Sequence, residues 1–176
     1  MNDTVPSFFK DIGDSIHLTL DREHLAASLI LTYSAINCMA SLIMPENKKN
    51  VTSDDFKKWV DKYMKTAQGQ SYQYQGEDLW GARCGLVHRY SPFSDLSEKG
   101  KCKVFSYHNG SEHIYNPLIH ENVVMISARR LINDFYEGMK AFLTDLIGDN
   151  KLRKLAEGRI GKLFQVAACN EVDVKP

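Results

Sequence analysis

Residues 25–44, LAASLILTYSAINCMASLIM, carry no charged side chain over twenty positions. A helix of that length either crosses a bilayer or fills the middle of a helical bundle, and the choice dictates how the rest of the chain folds. Ser28, Thr32, Ser34, Asn37 and Ser41 are spread around the stretch, and lipid-facing helices rarely carry so many polar groups. Asp21, Arg22 and Glu23 precede it and Pro45 follows, as at the two ends of a helix in water. The stretch therefore reads as a central bundle helix with no membrane contact.

The remaining segments supply partners for such a helix. Phe8, Phe9, Ile12 and Ile16 recur at helical spacing in the first twenty residues. After the polar loop PENKKNVTSD, Thr52 or Ser53 can cap a helix through DDFKKWVDKYMK. A further helix is expected from about Glu77 to Tyr90, stopped at Ser91-Pro92. Apolar residues at 128, 131, 132, 135, 139, 142, 143 and 146 form a stripe within a segment from Val124 to Ile147, and Gly148 ends it. A last helix, about 151–166, is basic on its outer side through Lys151, Arg153, Lys154, Arg159 and Lys162. Between residues 101 and 116 the text changes: KCKVFSY, the turn HNGS and EHIY suggest a small hairpin. The expected fold is mainly α, one helical-bundle domain over residues 1–176 with a small β-hairpin insertion.

Twenty-two basic and twenty-two acidic side chains cancel to a formal charge of zero, so no global field draws the protein to nucleic acid or anionic lipid. Any RNA contact must use a local patch. Cys38, Cys84, Cys102 and Cys169 are scattered without a CxxC pair, which fits reduced thiols in a cytosolic protein. MNDTVPSFFKD lacks the basic start and apolar run of a signal peptide.

The functional signal lies in LWGARCGLVHRYSP, residues 79–92. On a helical wheel with Leu79 at zero, Ala82, Leu86, Tyr90, Val87 and Trp80 share one apolar arc, with Arg83 near its middle at about 40°. A charge there must be paired or must line a cavity. His88 lies roughly 140° from Arg83, on a face of small residues with Gly81, Cys84 and Gly85. Another helix can approach closely there, and two copies packed through that face would bring two histidines and two arginines to one cleft. The plainer reading is an Arg83 paired with a buried carboxylate and a His88 satisfied at a helix end.

Arginine, four intervening residues and histidine on the third or fourth helix of a small all-α bundle resembles the HEPN superfamily. The run EDLWGARCGLVHRYSPFSDLSEKGKCKVFSYHNG looks like uncharacterised bacterial HEPN-like proteins, which commonly show "aaRcgllH" followed by a Ser-rich stretch and a basic strand. The resemblance implies a metal-independent endoribonuclease or RNA-binding module, with the site formed across a homodimer. Arg83 and His88 would then be the catalytic pair. The histidine would act on the 2′-hydroxyl or the leaving oxygen, and the arginine would hold the scissile phosphate. The expected product is a cyclic phosphate end. Cys84 stands where many active members place a polar residue, and several branches of the family use the bundle only for binding or regulation. The alternative is therefore a non-catalytic interaction or regulatory domain. Defence work, with an antitoxin or regulatory partner, follows from the resemblance alone.

Other chemistry weighs less. Cys84 and His88 at i and i+4 permit a thiolate–imidazolium pair, but no oxyanion donor is visible. Cys84, His88, Cys102 and His108 match no zinc spacing, so no metal or cofactor is expected. His108, His113 and His120 read as solvated loop histidines. Lys99, Lys101 and Lys103, with Phe105 and Tyr107, are candidate RNA contacts. The competing reading, a solvated strand face with its aromatics packed inward, is the favoured one. A catalytic site predicts Arg83 and His88 exposed in one cleft within about 10 Å. A structural role predicts both satisfied internally.

Overall fold

The computed structural model describes residues 4–163. Seven helices and two short strands follow one another: α1 (Thr4–Asp21), α2 (Leu25–Leu42), α3 (Ser53–Tyr63), α4 (Gly76–Arg89), α5 (Asp95–Glu98), β1 (Val104–His108), β2 (Val123–Ser127), α6 (Ala128–Gly148) and α7 (Asn150–Ile160). The chain is mainly α, as its periodicity predicts.

The uncharged stretch is the axis of the bundle. By length and composition α2 is apolar enough to cross a membrane, but α1, α3, α4, α6 and α7 all pack against it. Tyr33, Ile36, Met39 and Leu42 are sealed from solvent. Its buried hydroxyls are satisfied within the helix: Ser28 donates to the His24 carbonyl at 3.0 Å and Thr32 to the Ser28 carbonyl at 2.7 Å. Such back-bonding lets a polar side chain sit in a core without an orphaned donor.

Trp59 of α3 is the aromatic hub. Its ring meets Tyr63 at 5.3 Å, Phe142 at 5.9 Å and Phe135 at 6.2 Å between centroids, and Phe9 of α1 reaches the same cluster through Phe142 at 6.1 Å. Each fully buried large side chain here contributes on the order of 1.5–3 kcal/mol. The start of α3 follows its sequence signal. The Asp55 carboxylate accepts the Thr52 amide at 2.8 Å and the Thr52 hydroxyl at 2.7 Å. The last helix ends at Ile160, and residues 164–166 of the expected basic helix lie outside the described residues.

The hairpin expected over 101–116 is not what forms. β1 pairs with β2 in parallel, with Val104 opposite Val123 and His108 opposite Ser127. Residues 109–122 make the crossover that a parallel pair requires. The HNGS turn does reverse the chain, but it brings only Ile114 into a single antiparallel bridge with Met125 of β2. The physical reason is apolar content: EHIY offers little to bury, whereas Val124 and Ile126 of β2 are fully buried beside Phe105. The segment from Val124 accordingly begins as strand, and α6 starts where the helical stripe starts, at Ala128.

Candidate functional site

α4 is fixed at both ends. Asp78 accepts the Gln75 amide at 3.1 Å, and the Gly76 amide donates to Asp61 Oδ1 at 2.6 Å. A Cβ on Gly76 would stand 2.7 Å from the Lys57 carbonyl oxygen, so glycine lets α4 start directly on α3. At the far end Tyr90 takes a left-handed backbone, φ 51° and ψ 38°, and its amide closes on the Leu86 carbonyl.

Within that frame Arg83 and His88 meet. Arg83 Nη1 lies 2.5 Å from His88 Nε2, and the guanidinium rests 5.1 Å from the Trp80 ring centroid. The ideal wheel separates the two by about 140°. The contact forms because helical side chains lean toward the N-terminus, so the His88 ring reaches back one turn while the long arginine wraps outward. Arg83 is half-buried, its Nε has no hydrogen-bond partner among the described residues, and His88 is exposed.

No carboxylate lies within salt-bridge distance of Arg83 among the described residues. The neighbouring arginine behaves differently: Arg89 is held by Asp95 and by Glu98 at 3.8 Å. Arg83 is thus a cation whose neighbours are an aromatic face and an imidazole. Donation from Nη1 makes His88 Nε2 the acceptor and puts the ring proton on Nδ1. A lone pair and a positive charge therefore stand side by side at the surface, the arrangement that abstracts a hydroxyl proton next to a phosphate.

The small-residue face of α4 is covered by its own chain. A Cβ on Gly85 would lie 2.6 Å from the Ser91 carbonyl oxygen and 2.8 Å from that of Phe93, and a Cβ on Gly81 would lie 2.2 Å from Cys102 Sγ. The expected approach of a second copy through Gly81 and Gly85 is therefore closed. On the outer side of this end Tyr90 is 70% and Phe93 52% exposed.

Cys102 is buried on Gly81, and its thiol is pushed up to about 11 by burial and by the charges of Asp78 and Glu77. No hydrogen bond joins Cys84 to His88 among the described residues. Nor do any three His, Cys, Asp or Glu side chains gather there as a metal site.

The lysines occupy a different place. Lys101 and Lys103 line a cleft of about 360 Å³ with Gln73, Gln75, Glu77 and Asp78, so its charge is mixed. Lys103 donates to the Glu121 carbonyl at 2.8 Å, whereas Lys99 and Lys101 are exposed. Phe105 is buried, and the Tyr107 hydroxyl is 2.7 Å from that of Tyr33 in the core. Both rings face inward and are not stacking platforms for bases.

Sequence reasoning placed His113 and His108 in solvent, and the structure corrects this. His113 is 2% exposed, and His108 is half-buried at the end of β1, while His120 is exposed as expected. A loop histidine gives no sequence signal of burial, because the packing that covers it comes from Tyr74, Ser127 and Arg130, remote in the chain.

No protein-family model, curated protein or solved structure matches this chain.

Proposed function

We propose that this chain is a HEPN-like RNA-binding or metal-independent endoribonuclease module acting through Arg83 and His88. The observation that carries the reading is the contact of an exposed imidazole with an arginine that has no carboxylate partner among the described residues. A structural arginine on a helix face is normally neutralised, as Arg89 is here.

In this reading an RNA phosphate takes the place of His88 on the Arg83 guanidinium. His88 Nε2, released, accepts the proton of the adjacent 2′-hydroxyl. The 2′-oxygen forms a bond to phosphorus, the bond to the 5′-oxygen of the next nucleotide breaks, and that oxygen leaves with a proton from solvent or from a second histidine. The products are a 2′,3′-cyclic phosphate and a 5′-hydroxyl. Arg83 neutralises the charge that grows on the phosphoryl oxygens. Exposed Tyr90 and Phe93 offer faces for unpaired bases, and Lys99 and Lys101 offer further phosphate contacts. A homodimer placing two Arg83–His88 pairs in one cleft, a cytoplasmic location and an antitoxin or regulatory partner belong to the same proposal.

The test is cleavage of a mixed tRNA and mRNA pool by purified protein in EDTA, beside His88→Ala, with product ends typed. Cyclic phosphate ends that vanish in the variant support the reading, whereas equal cleavage by both proteins overturns it. The second reading, a non-catalytic interaction domain, is favoured by one observation: Ile114, Leu118 and Ile119 of the crossover are 57%, 95% and 69% exposed. Such a run of exposed apolar side chains is unusual outside an interface. Inert wild type and variant, with the protein captured by a partner through that loop, would support it.

A further inference from the structure

Six buried side-chain polar atoms find no partner within the protein among the described residues, and four of them fall in one cluster at the start of α6. They are Thr66 Oγ1, His108 Nε2, His113 Nε2 and Arg130 Nε. The His113 ring packs on Tyr74 at 5.9 Å, the Tyr74 hydroxyl donates to Asp134 at 2.9 Å, and Asp134 lies 3.3 Å from Arg130 Nε. Thr66 stands beside Tyr74, and the charges of Arg130 and His108 both act on His113.

The hydrogen bonds decide what these atoms offer. The Ser127 amide donates to His113 Nδ1 at 3.2 Å and the Gly110 amide donates to His108 Nδ1 at 3.1 Å. With Nδ1 accepting in both rings, the proton of each neutral imidazole is on Nε2. His108 Nε2 and His113 Nε2 are therefore N–H donors with no acceptor among the described residues, while Arg130 Nε faces Asp134 Oδ1 at 3.3 Å. Asp134 is used at both oxygens, Oδ2 by the Tyr74 hydroxyl and Oδ1 by Arg130, and Ser127 Oγ accepts the Arg130 amide at 3.1 Å as the cap of α6. That helix is 21 residues long and directs its positive end here. A buried donor left unmatched is costly, and an oxyanion, all acceptor, matches several at once.

We propose that His108, His113, Arg130 and the first turn of α6 form a binding site for a phosphoryl oxyanion. Of its residues His113 is 2% exposed, and His108, Thr66 and Arg130 are half-buried. Two carboxylates besides Asp134 act on the cluster: Glu112, held by Gln70, and Glu137, one turn along α6. The site is separate from Arg83 and His88 and does not rest on the ribonuclease reading.

The experiment follows the ring nitrogens of all six histidines by NMR while wild-type protein is titrated with inorganic phosphate, and separately with uridine 5′-monophosphate, sodium chloride holding ionic strength constant. The expected result is saturable shifts at His108 and His113 with exposed His17, His24 and His120 unmoved, together with a phosphate-specific rise in Tm. Tighter binding of the nucleotide would assign the site to a nucleotide phosphate, and equal binding to the free ion. Arg130→Gln should weaken binding at least tenfold, and His108→Gln, at a half-buried position that leaves the core intact, should weaken it severalfold. Absence of saturation at His108 and His113, an equal Tm rise in chloride, or a shift confined to His88 would each overturn the site.

Discussion

His88 and Arg83 meet at the exposed end of α4, whereas His113 and Arg130 lie together beneath the start of α6. The same two residue types occur under opposite conditions. Arg83 has no carboxylate partner among the described residues, and its histidine offers a lone pair on Nε2. Arg130 has Asp134, and its histidine offers a proton on Nε2 because a backbone amide occupies Nδ1. The tautomer, set by one neighbour in each case, leaves Nε2 an acceptor in the first pair and a donor in the second. Residue identity alone would have ranked them equally.

The sharpest way to break the comparison is at His88. If that pair is catalytic, His88→Ala lowers the rate of RNA cleavage in EDTA by about 10²–10⁴-fold, while His113→Gln leaves it within a fewfold. A loss of equal size in both variants would mean that stability, not chemistry, is being read, and melting curves for each protein separate the two causes.

The next effect concerns pH. Burial, then the charge of Arg130, lowers His113 from 6.5 to about 4. The unfolded chain therefore binds this proton first as pH falls. The contribution is complete above pH 6.5 and is lost between pH 6.5 and 4, on the order of 3 kcal/mol in all. Asp134, raised by burial, works in the opposite sense above the ordinary aspartate range, so the wild-type curve mixes the two. The difference between wild type and His113→Gln, from urea melts in phosphate-free buffer, isolates the histidine. A flat difference would mean that His113 titrates as it does in water.

Glycine substitutions test which face of α4 is open. Gly85→Ala drives a methyl against two backbone carbonyls of residues 91 and 93, and about 1–3 kcal/mol of stability should go. Gly158→Ala, on α7 with nothing within 4 Å of the new carbon, should add roughly 0.5–1 kcal/mol. If Gly85→Ala is neutral in urea melts but changes the oligomeric state, the face is a subunit contact after all.

These contrasts also show where sequence reasoning reaches and where it stops. Helices α1, α2, α3, α4 and α6 were legible because an apolar stripe with period 3.6 is a local property. Strand pairing was not, because β1 chooses between EHIY and VVMIS by how much each buries, a competition settled by packing fourteen residues further on. The closing of the Gly81–Gly85 face was equally hidden. Small residues announce a close approach but not whether the approaching atoms belong to another helix or to residues 91–102 of the same chain. The Arg83–His88 contact needed the lean and length of real side chains, which an ideal wheel leaves out.

The smallest effect separates the geometry of the site from its use. Tyr90 holds a left-handed backbone that costs a non-glycine residue about 1–2 kcal/mol, and its ring returns little of that by packing because it is 70% exposed. Tyr90→Gly should therefore raise stability by up to about 1 kcal/mol, the gain being trimmed by the freer unfolded chain. If the ring stacks on a base beside Arg83 and His88, the same variant loses about 1–3 kcal/mol of single-stranded RNA affinity. A protein that becomes more stable and binds RNA less well would tie the strained residue to recognition. One that becomes more stable with unchanged affinity would leave Tyr90 as a helix stop whose side chain plays no part in the site.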